Sequence, residues 1–203
     1  MPQAAKPATE IGLDDKSQAL VLRAALAMLF TMLMSISAQF QIPMPPDGVP
    51  QTLQSLVVAL AAMGLGARWG MASMLLYIAI GALGAGVFAQ SRAGVGVILG
   101  QTGGFLAGFV LAQPIIAGII RRPDGTVRGW GAILTAMLAG HAVIFAMGVP
   151  WLTFVRGRED DTYTLLRGVQ GGFLPFVPGM ILKTIAAVMI GLAVWPRSCR
   201  RFW

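Results

Sequence analysis

The sequence alternates between long apolar runs and short polar segments. About 20 apolar residues suffice for a helix to cross the hydrocarbon core of a bilayer. We therefore predict six membrane spans, at residues 19–42, 53–65, 71–82, 103–120, 130–154 and 170–195. The second and third have only about 13 residues each, roughly 20 Å of helix. Residues 66–70 (GARWG) join them, so we expect a thin hairpin.

Residues 81–104 contain too many glycines for a continuous helix. Irregular backbone at membrane depth persists only where it is buried in protein or lines a cavity. Arg92 stands in the middle of this segment. We therefore expect the segment to dip inwards and to border a cavity.

Small residues recur at intervals of four in two places. A strip in the first span consists of Ala27, Thr31 and Ser35. A second strip, which leads into the fourth span, consists of Gly100, Gly104, Gly108 and Ala112. Such strips let helices approach closely in lipid. The second strip predicts tight packing of the fourth span, whereas the first is compatible with internal packing or with docking to a separate membrane subunit.

The composition supports a membrane protein. Hydrophobic residues make up 56% of the chain and charged residues only 11%, whereas soluble domains average about 25% charged residues. The predicted fold class is an all-α integral membrane protein with six transmembrane helices. We expect an N-terminal polar tail at residues 1–18, a membrane domain at residues 19–196 and a C-terminal polar tail at residues 197–203.

The net charge of +7 does not indicate a nucleic-acid partner, because no basic face is interleaved with aromatic residues. The single cysteine, Cys199, excludes an intrachain disulfide and a thiolate metal cage. The single histidine, His141, lies near the middle of the fifth span. We interpret it as a hydrogen-bonded packing residue rather than a ligand, because no other residues of metal-binding type accompany it. We expect no metal.

The positive charges are distributed unevenly between the two sides of the predicted topology. One side, which includes both termini, carries Lys6, Lys16, Arg23, Arg68, Arg121, Arg122, Arg128, Arg197, Arg200 and Arg201. The opposite side carries Arg92, Arg156, Arg158 and Arg167. Lys and Arg accumulate in cytoplasmic loops. Both termini are therefore predicted to be cytoplasmic.

Lys183 interrupts the last apolar run, shortly after Pro175 and Pro178. A charged side chain inside a membrane span costs at least ~2.5 kcal/mol on insertion scales and usually faces a partner or a wet cavity. The prolines fit the entry of a helix, whose N-terminal amides favour anions. We predict a functional lysine, with a lysine that extends to the near interface or becomes neutral in place as the alternative.

Four segments in order resemble the BioY family of biotin-binding substrate-specific (S) components of energy-coupling-factor (ECF) transporters. They are VPQTLQSLVVALAAMGLGARWG, LLYIAIGALGAGVFA, LGQTGGFLAGF and LPFVPGMILK. The resemblance implies a six-helix protein of a bacterial inner (cytoplasmic) membrane that captures biotin from the outer side. It implies as partners a transmembrane coupling subunit (T component) and two ABC-type ATPases, with biotin as ligand and no cofactor.

Two motif positions depart from the family. Its last motif usually reads P-G-D-x-x-K, and here Met180 replaces the acid while Lys183 is present. Its G-P-T-G-G motif reads Gly100–Gly104 with Gln101 in place of proline. Met180 offers only packing and a weak acceptor, so another group would have to accept from the ureido N–H.

A biotin site needs a cation, an apolar wall and a few polar groups. By family analogy Lys183 would face the ureido end and Arg92 the carboxylate, or the reverse. Candidate walls are Tyr77, Phe105, Trp151 and Phe176, with lipid-facing aromatic residues as the alternative. Gly103 and Gly104 would let backbone approach the ligand or would serve helix packing. Gln54 and Thr52 are candidate polar contacts or helix-start residues.

Residues 39–50 (QFQIPMPPDGVP) are apolar and stiffened by Pro43, Pro45 and Pro46. We predict that they form a lid over the pocket, with a plain turn between helices as the alternative. The chain lacks the phosphate-binding pattern G-x-x-x-x-G-K-[ST], so it is not expected to hydrolyse ATP.

Competing functions are an intramembrane enzyme, an assembly subunit that does not transport, and an S component for another small vitamin. The enzyme is disfavoured because no paired acids and no His–Asp or Ser–Lys arrangement are apparent. An assembly subunit would leave Arg92 and Lys183 without a role. No catalytic residue is assigned.

Overall fold

The computed structural model describes residues 14–44, 49–122 and 128–194. Within them lie the helices α1 Asp15–Gln39, α2 Gln54–Ala82, α3 Val95–Leu99, α4 Gly103–Ile120, α5 Trp130–Gly157, α6 Leu165–Gly172 and α7 Val177–Val194. Two short strands, β1 Gln41–Ile42 and β2 Gln51–Thr52, pair antiparallel. Turns of 3₁₀ helix form at Ala89–Ser91 and Leu174–Phe176.

Helix α1 is shifted towards the N-terminus relative to the predicted span of residues 19–42. Asp14 caps it by accepting a hydrogen bond from the Ser17 amide at 3.3 Å, as capping carboxylates commonly do. Phe40 is already extended, and Gln41 pairs opposite Thr52. The end of the apolar run therefore forms a strand rather than helix.

Helix α2 is a hairpin of two arms. The Gln54 amide nitrogen lies 2.8 Å from the Tyr77 hydroxyl, although 23 residues of straight helix would separate them by about 35 Å. The chain reverses at Gly66, whose φ of 72° and ψ of −176° suit only glycine. The predicted hairpin is confirmed, but the turn is one residue and not residues 66–70. The first arm is residues 54–65 and the second is residues 67–82.

Helices α4 and α5 pack closely through glycines of α4. A Cβ on Gly108 would lie 2.8 Å from the Ile144 Cα, and one on Gly104 would overlap the Met147 carbonyl oxygen and Trp151. Because both positions contact backbone, only glycine allows this approach. The predicted packing role of the second small-residue strip is confirmed, and α4 has the bounds predicted for the fourth span.

The predicted sixth span, residues 170–195, is broken into α6, a 3₁₀ turn and α7. Phe173 departs from helical geometry, and Pro175 follows within the turn. Proline lacks an amide hydrogen, and its ring clashes with the preceding helical turn. Helix α6 therefore ends before Pro175, and a new helix, α7, begins after it. This break brings Phe176 into the core, where it is buried.

The first strip of small residues packs inside the molecule. Ala27 and Thr31 are buried, and the Thr31 hydroxyl donates to the Ser73 carbonyl of the second arm at 3.0 Å. Ser35 donates to the Thr31 carbonyl. Ala27 and Thr31 therefore serve internal packing and not partner docking, whereas the docking role of the half-buried Ser35 stays a prediction.

Five described segments are long and apolar enough to cross a membrane, and one of them is the α2 hairpin. When the two arms of that hairpin are counted separately, the described residues contain six apolar helical segments, as predicted. Large apolar side chains cover the outward faces of α1 and α7, including Leu20, Met28, Met32, Ile181, Ile185 and Met189. The molecule is a multi-pass membrane protein.

Candidate functional site

A cavity opens at the end of the molecule where α1 finishes and α7 begins. Its wall consists of Val49, Pro50, Thr52, Gln54, Ser55, Tyr77, Phe88, Ala89, Arg92, Val97, Thr102, Phe105, Leu106, Phe109, Ile144, Phe145, Phe176 and Lys183. Among these described lining residues two are cationic and none is acidic. The glycine-rich segment supplies part of the wall, as its composition predicts.

Lys183 lies in the second turn of α7 and is 7% exposed. Its ammonium group donates to the Thr52 carbonyl at 3.1 Å, across to the strand that precedes α2. Because the ammonium group lies close to this carbonyl and to the cavity, it points away from lipid. Lys183 therefore lines the cavity, as expected for a lysine inside an apolar run, and its functional role stays a prediction.

Arg92 stands at the mouth of the cavity. Its side chain is exposed, and its Nε lies 3.4 Å from the Ala89 carbonyl oxygen. It also lines a shallow surface depression together with Gln101 and Glu159. Arg92 is therefore an exposed loop arginine that also borders the cavity, where an anion entering from solvent would meet it.

Aromatic rings form two parts of the wall. Tyr77 and Phe88 meet edge to face, with ring centroids 5.5 Å apart. Phe105, Phe145 and Phe176 form a second group, with centroid separations between 5.6 and 6.4 Å. Such pairs favour offset or edge-on contacts and pack rigidly. The cavity therefore offers a stiff apolar surface to a ring system.

A chain of hydrogen bonds links the two arms of α2 at the cavity wall. The Thr52 hydroxyl donates to Gln54 at 3.1 Å, and the Gln54 amide donates to the Tyr77 hydroxyl. Tyr77 donates in turn to the Val87 carbonyl at 3.2 Å. Thr52 also accepts from the Gln54 backbone amide, so its helix-start role and its place in the cavity wall coexist.

Ser55 contributes a buried hydroxyl that has no hydrogen-bond partner within the described chain. It lines the cavity, as do Gln54 before it and Lys183 opposite. A buried polar atom without a partner is costly. The Ser55 hydroxyl therefore has hydrogen-bonding capacity that no described protein group uses.

Comparison with known proteins identifies the family of this chain. The sequence profile of the BioY family matches residues 9–200. The chain belongs to the BioY family. The biotin transporter BioY of Thermotoga maritima is 34% identical over 166 residues, 82% of this chain and 91% of that protein. The probable biotin transporter BioY of Pyrococcus horikoshii is 39% identical over the same shares of the two chains.

The fold is also that of a solved structure. It matches the crystal structure of the S-component for biotin from an ECF-type ABC transporter with a TM-score of 0.74. The match covers 90% of this chain and 94% of that chain at 21% sequence identity. This confirms the predicted S-component-like architecture of this BioY chain.

Four residues predicted as ligand contacts lie outside the cavity wall. Gly103 and Gly104 pack against Trp151, whose indole N–H donates to the Gly100 carbonyl at 2.8 Å. The helix-packing interpretation therefore describes both glycines, and Trp151 anchors the turn before α4. Met180, at the position of the missing BioY acid, packs against the apolar core instead.

The lid prediction concerns Pro43, Pro45 and Pro46. Pro43 is exposed and does not line the cavity, whereas Pro45 and Pro46 lie outside the described residues. The end of that loop does reach the site, because Val49 and Pro50 are buried in the cavity wall. His141 is buried within α5 and is not among the lining residues.

Sequence reasoning missed several lining residues, including Ser55, Phe88, Thr102, Phe109 and Phe145. Apolar residues in apolar runs carry no local mark of a cavity, so only tertiary packing selects them. Ser55 had a signal, since it follows the candidate Gln54 directly.

Proposed function

We propose that this chain is a membrane-embedded biotin-binding S component that captures biotin from the outer side and delivers it inward. The observation that carries the proposal is the pairing of two cations with an aromatic wall in a cavity whose described lining residues include no acid. Biotin presents a carboxylate, an apolar thioether ring and a ureido group. The positive cavity complements the carboxylate, and the rings complement the apolar body.

The depth of each cation favours one orientation. Lys183 is buried beside Gln54 and Ser55, where it can donate to the ureido oxygen while a nearby hydroxyl accepts from a ureido N–H. Arg92 stands at the mouth, where the carboxylate at the end of a flexible tail would arrive. Ser55, rather than Met180, is thus our candidate for the acceptor that the family's missing acid would supply.

Energy for transport would come from other subunits. The sequence contains no G-x-x-x-x-G-K-[ST] pattern for ATP, and the structurally similar protein is an S-component of an ECF-type ABC transporter. A T component and two ABC-type ATPases in a bacterial inner membrane are the partners we propose. The excess of Lys and Arg on the side of both termini supports a cytoplasmic location for the two termini.

A titration of the detergent-solubilised protein with biotin, thiamine and riboflavin tests this function. We expect a heat of binding when biotin is added and none when thiamine or riboflavin is added. Met180 and Gln101 depart from the family motifs, and they favour another vitamin as the second candidate. Binding of thiamine or riboflavin without biotin would support that candidate and reject ours.

Lys183→Ala should weaken biotin binding by about 2 kcal/mol, roughly 30-fold, because it removes a buried charge-assisted hydrogen bond. Arg167→Ala is the matched control, since Arg167 is exposed, pairs with Asp160 and does not line the cavity. Equal affinities of the wild-type protein and Lys183→Ala would dismiss the role of this lysine.

A further inference from the structure

Gln39, the last residue of α1, binds a loop that belongs to the cavity. Its amide nitrogen donates to the carbonyl oxygens of Phe88 at 3.0 Å and Val87 at 3.4 Å. Its amide oxygen accepts from the Ser91 backbone N–H and from the Ser91 hydroxyl, each at 3.2 Å. A single side chain therefore satisfies donors and acceptors at both ends of residues 87–91.

The loop that Gln39 contacts is strained. Gln90 and Ser91 have φ angles of 63° and 52°, and they are the non-glycine residues of the described chain with positive φ. Residues with a Cβ rarely adopt this conformation, and such strain persists only where surrounding contacts enforce it. The four Gln39 contacts supply that enforcement on the side of α1.

Arg92 follows these two residues directly. The Arg92 carbonyl accepts from the Phe88 amide at 3.1 Å, and the Arg92 amide donates to the Ala89 carbonyl at 3.4 Å. The backbone of residues 88–92 is therefore a closed turn, and Phe88, Ala89 and Arg92 all line the cavity. If Gln90 and Ser91 relaxed to negative φ, the Arg92 side chain would leave the mouth.

We propose that Gln39 is a positioning residue, which holds residues 88–92 in their strained conformation and so directs Arg92 at the carboxylate of the ligand. The proposal rests on the proposed function, because it takes biotin as the ligand. Gln39 itself does not line the cavity. Its effect on binding therefore passes through the loop.

Titrations with biotin and with its uncharged methyl ester test this role. Arg92→Ala and Gln39→Ala should each weaken biotin binding about tenfold, as expected for loss of one charge-assisted contact. Both should leave binding of the methyl ester nearly unchanged. The double variant should bind biotin no more weakly than Arg92→Ala, because the two residues act on one contact. Gln170→Ala, an exposed glutamine outside the cavity wall, serves as control.

Hydrogen exchange provides a readout that needs no ligand. Gln39→Ala should speed exchange of the Ser91 amide, which loses its acceptor, while exchange within the helical part of α1 stays as in the wild-type protein. Gln90→Asn in the Gln39→Ala background should restore part of the biotin affinity, because asparagine tolerates positive φ better than glutamine.

Three results would overturn the proposal. In the first, Gln39→Ala binds biotin as the wild-type protein does although Arg92→Ala does not. In the second, Gln39→Ala weakens binding of biotin and of the ester equally and lowers the unfolding temperature, as a purely structural residue would. In the third, Ser91 exchange is unchanged. A different pair of results would separate the two proposals: the wild-type protein binds no biotin, but Gln39→Ala still speeds exchange of the Ser91 amide. That pair would reject the proposed function and retain the role of Gln39 in positioning the loop.

Discussion

The charge of Lys183 is incompletely compensated by its surroundings. Its ammonium group has one protein acceptor among the described residues, the Thr52 carbonyl, and the described cavity wall contains no carboxylate. An ammonium group has three donors, so two are available for a ligand or water. A group of this kind at membrane depth destabilises the empty protein, and an anionic or strongly accepting ligand offsets that cost when it binds.

Ser55 gives the sharpest residue-scale prediction. Ser55→Ala should weaken biotin binding by about 1 kcal/mol, roughly fivefold, because it removes a hydroxyl proposed to bind a ureido N–H. The unfolding temperature should not fall, since the described protein offers this hydroxyl no hydrogen-bond partner. Calorimetric titration and thermal unfolding measure the two effects.

Thr135→Ala is a suitable control for Ser55→Ala. Thr135 is exposed on α5, and its hydroxyl donates to the Gly131 carbonyl of the preceding turn. An unchanged affinity of Ser55→Ala for biotin would remove Ser55 from the site. A fall in unfolding temperature would indicate that the hydroxyl has a partner inside the protein.

The sequence was most informative about residues whose chemistry conflicts with their surroundings. Lys183 and Arg92 could be predicted at the cavity because charges rarely occur in apolar or glycine-rich membrane segments without a function. Tyr77, Gln54 and Phe176 also line the cavity, as proposed. Gly104 packs against α5, as its small-residue strip predicts. The sequence alone could not decide between this role and a ligand contact, because a glycine that admits a ligand and a glycine that admits another helix look the same in the sequence.

At the scale of elements, the predictable bounds are those set by local chemistry. Helix α4 has the predicted bounds, because glycines precede it and charged residues follow it. Helix α7 begins at Val177, at the helix entry that Pro175 and Pro178 predict, whereas the separate helix α6 was missed because hydropathy is continuous across the break. Strands β1 and β2 were missed because pairs of two residues leave no periodicity to detect.

The contact between α4 and α5 supports an element-scale prediction. Gly104→Ala should destabilise the protein by about 1–3 kcal/mol, because the added methyl group overlaps the Met147 backbone. Gly118→Ala is its matched control on the same helix, since a Cβ there meets no atom within 4 Å. That control should be neutral or stabilising by up to about 1 kcal/mol, because alanine favours helix more than glycine does. Thermal unfolding in detergent compares them, and equal unfolding temperatures would show that the close approach does not depend on Gly104.

At the scale of the whole molecule, the contacts group the ends of the helices as the number of predicted spans requires. Helix α1 ends where Gln39 meets Phe88, and Gln51 bonds the Phe176 carbonyl just before α7 begins. The described start of α1 and end of α7 therefore lie together at the opposite end. Arg121 also lies there, because it directly follows α4, whose other end borders the cavity. Burial and then the charge of Arg23 lower the pKa of Arg121 to about 10.

That arrangement predicts the sidedness of two exposed arginines. Arg128 precedes α5 at the end shared with the start of α1, and Arg167 follows α5 at the cavity end. If both termini are cytoplasmic, Arg167→Cys in a Cys199→Ser background should react with a membrane-impermeant maleimide in intact bacterial cells. Arg128→Cys in the same background should react only after the membrane is permeabilised. The background is free of other thiols because Cys199 is the single cysteine of the chain. Labelling of Arg128→Cys but not of Arg167→Cys in intact cells would show that the topology is the reverse of the predicted one. The mouth of the cavity would then lie on the cytoplasmic side, where the protein could not capture biotin from outside.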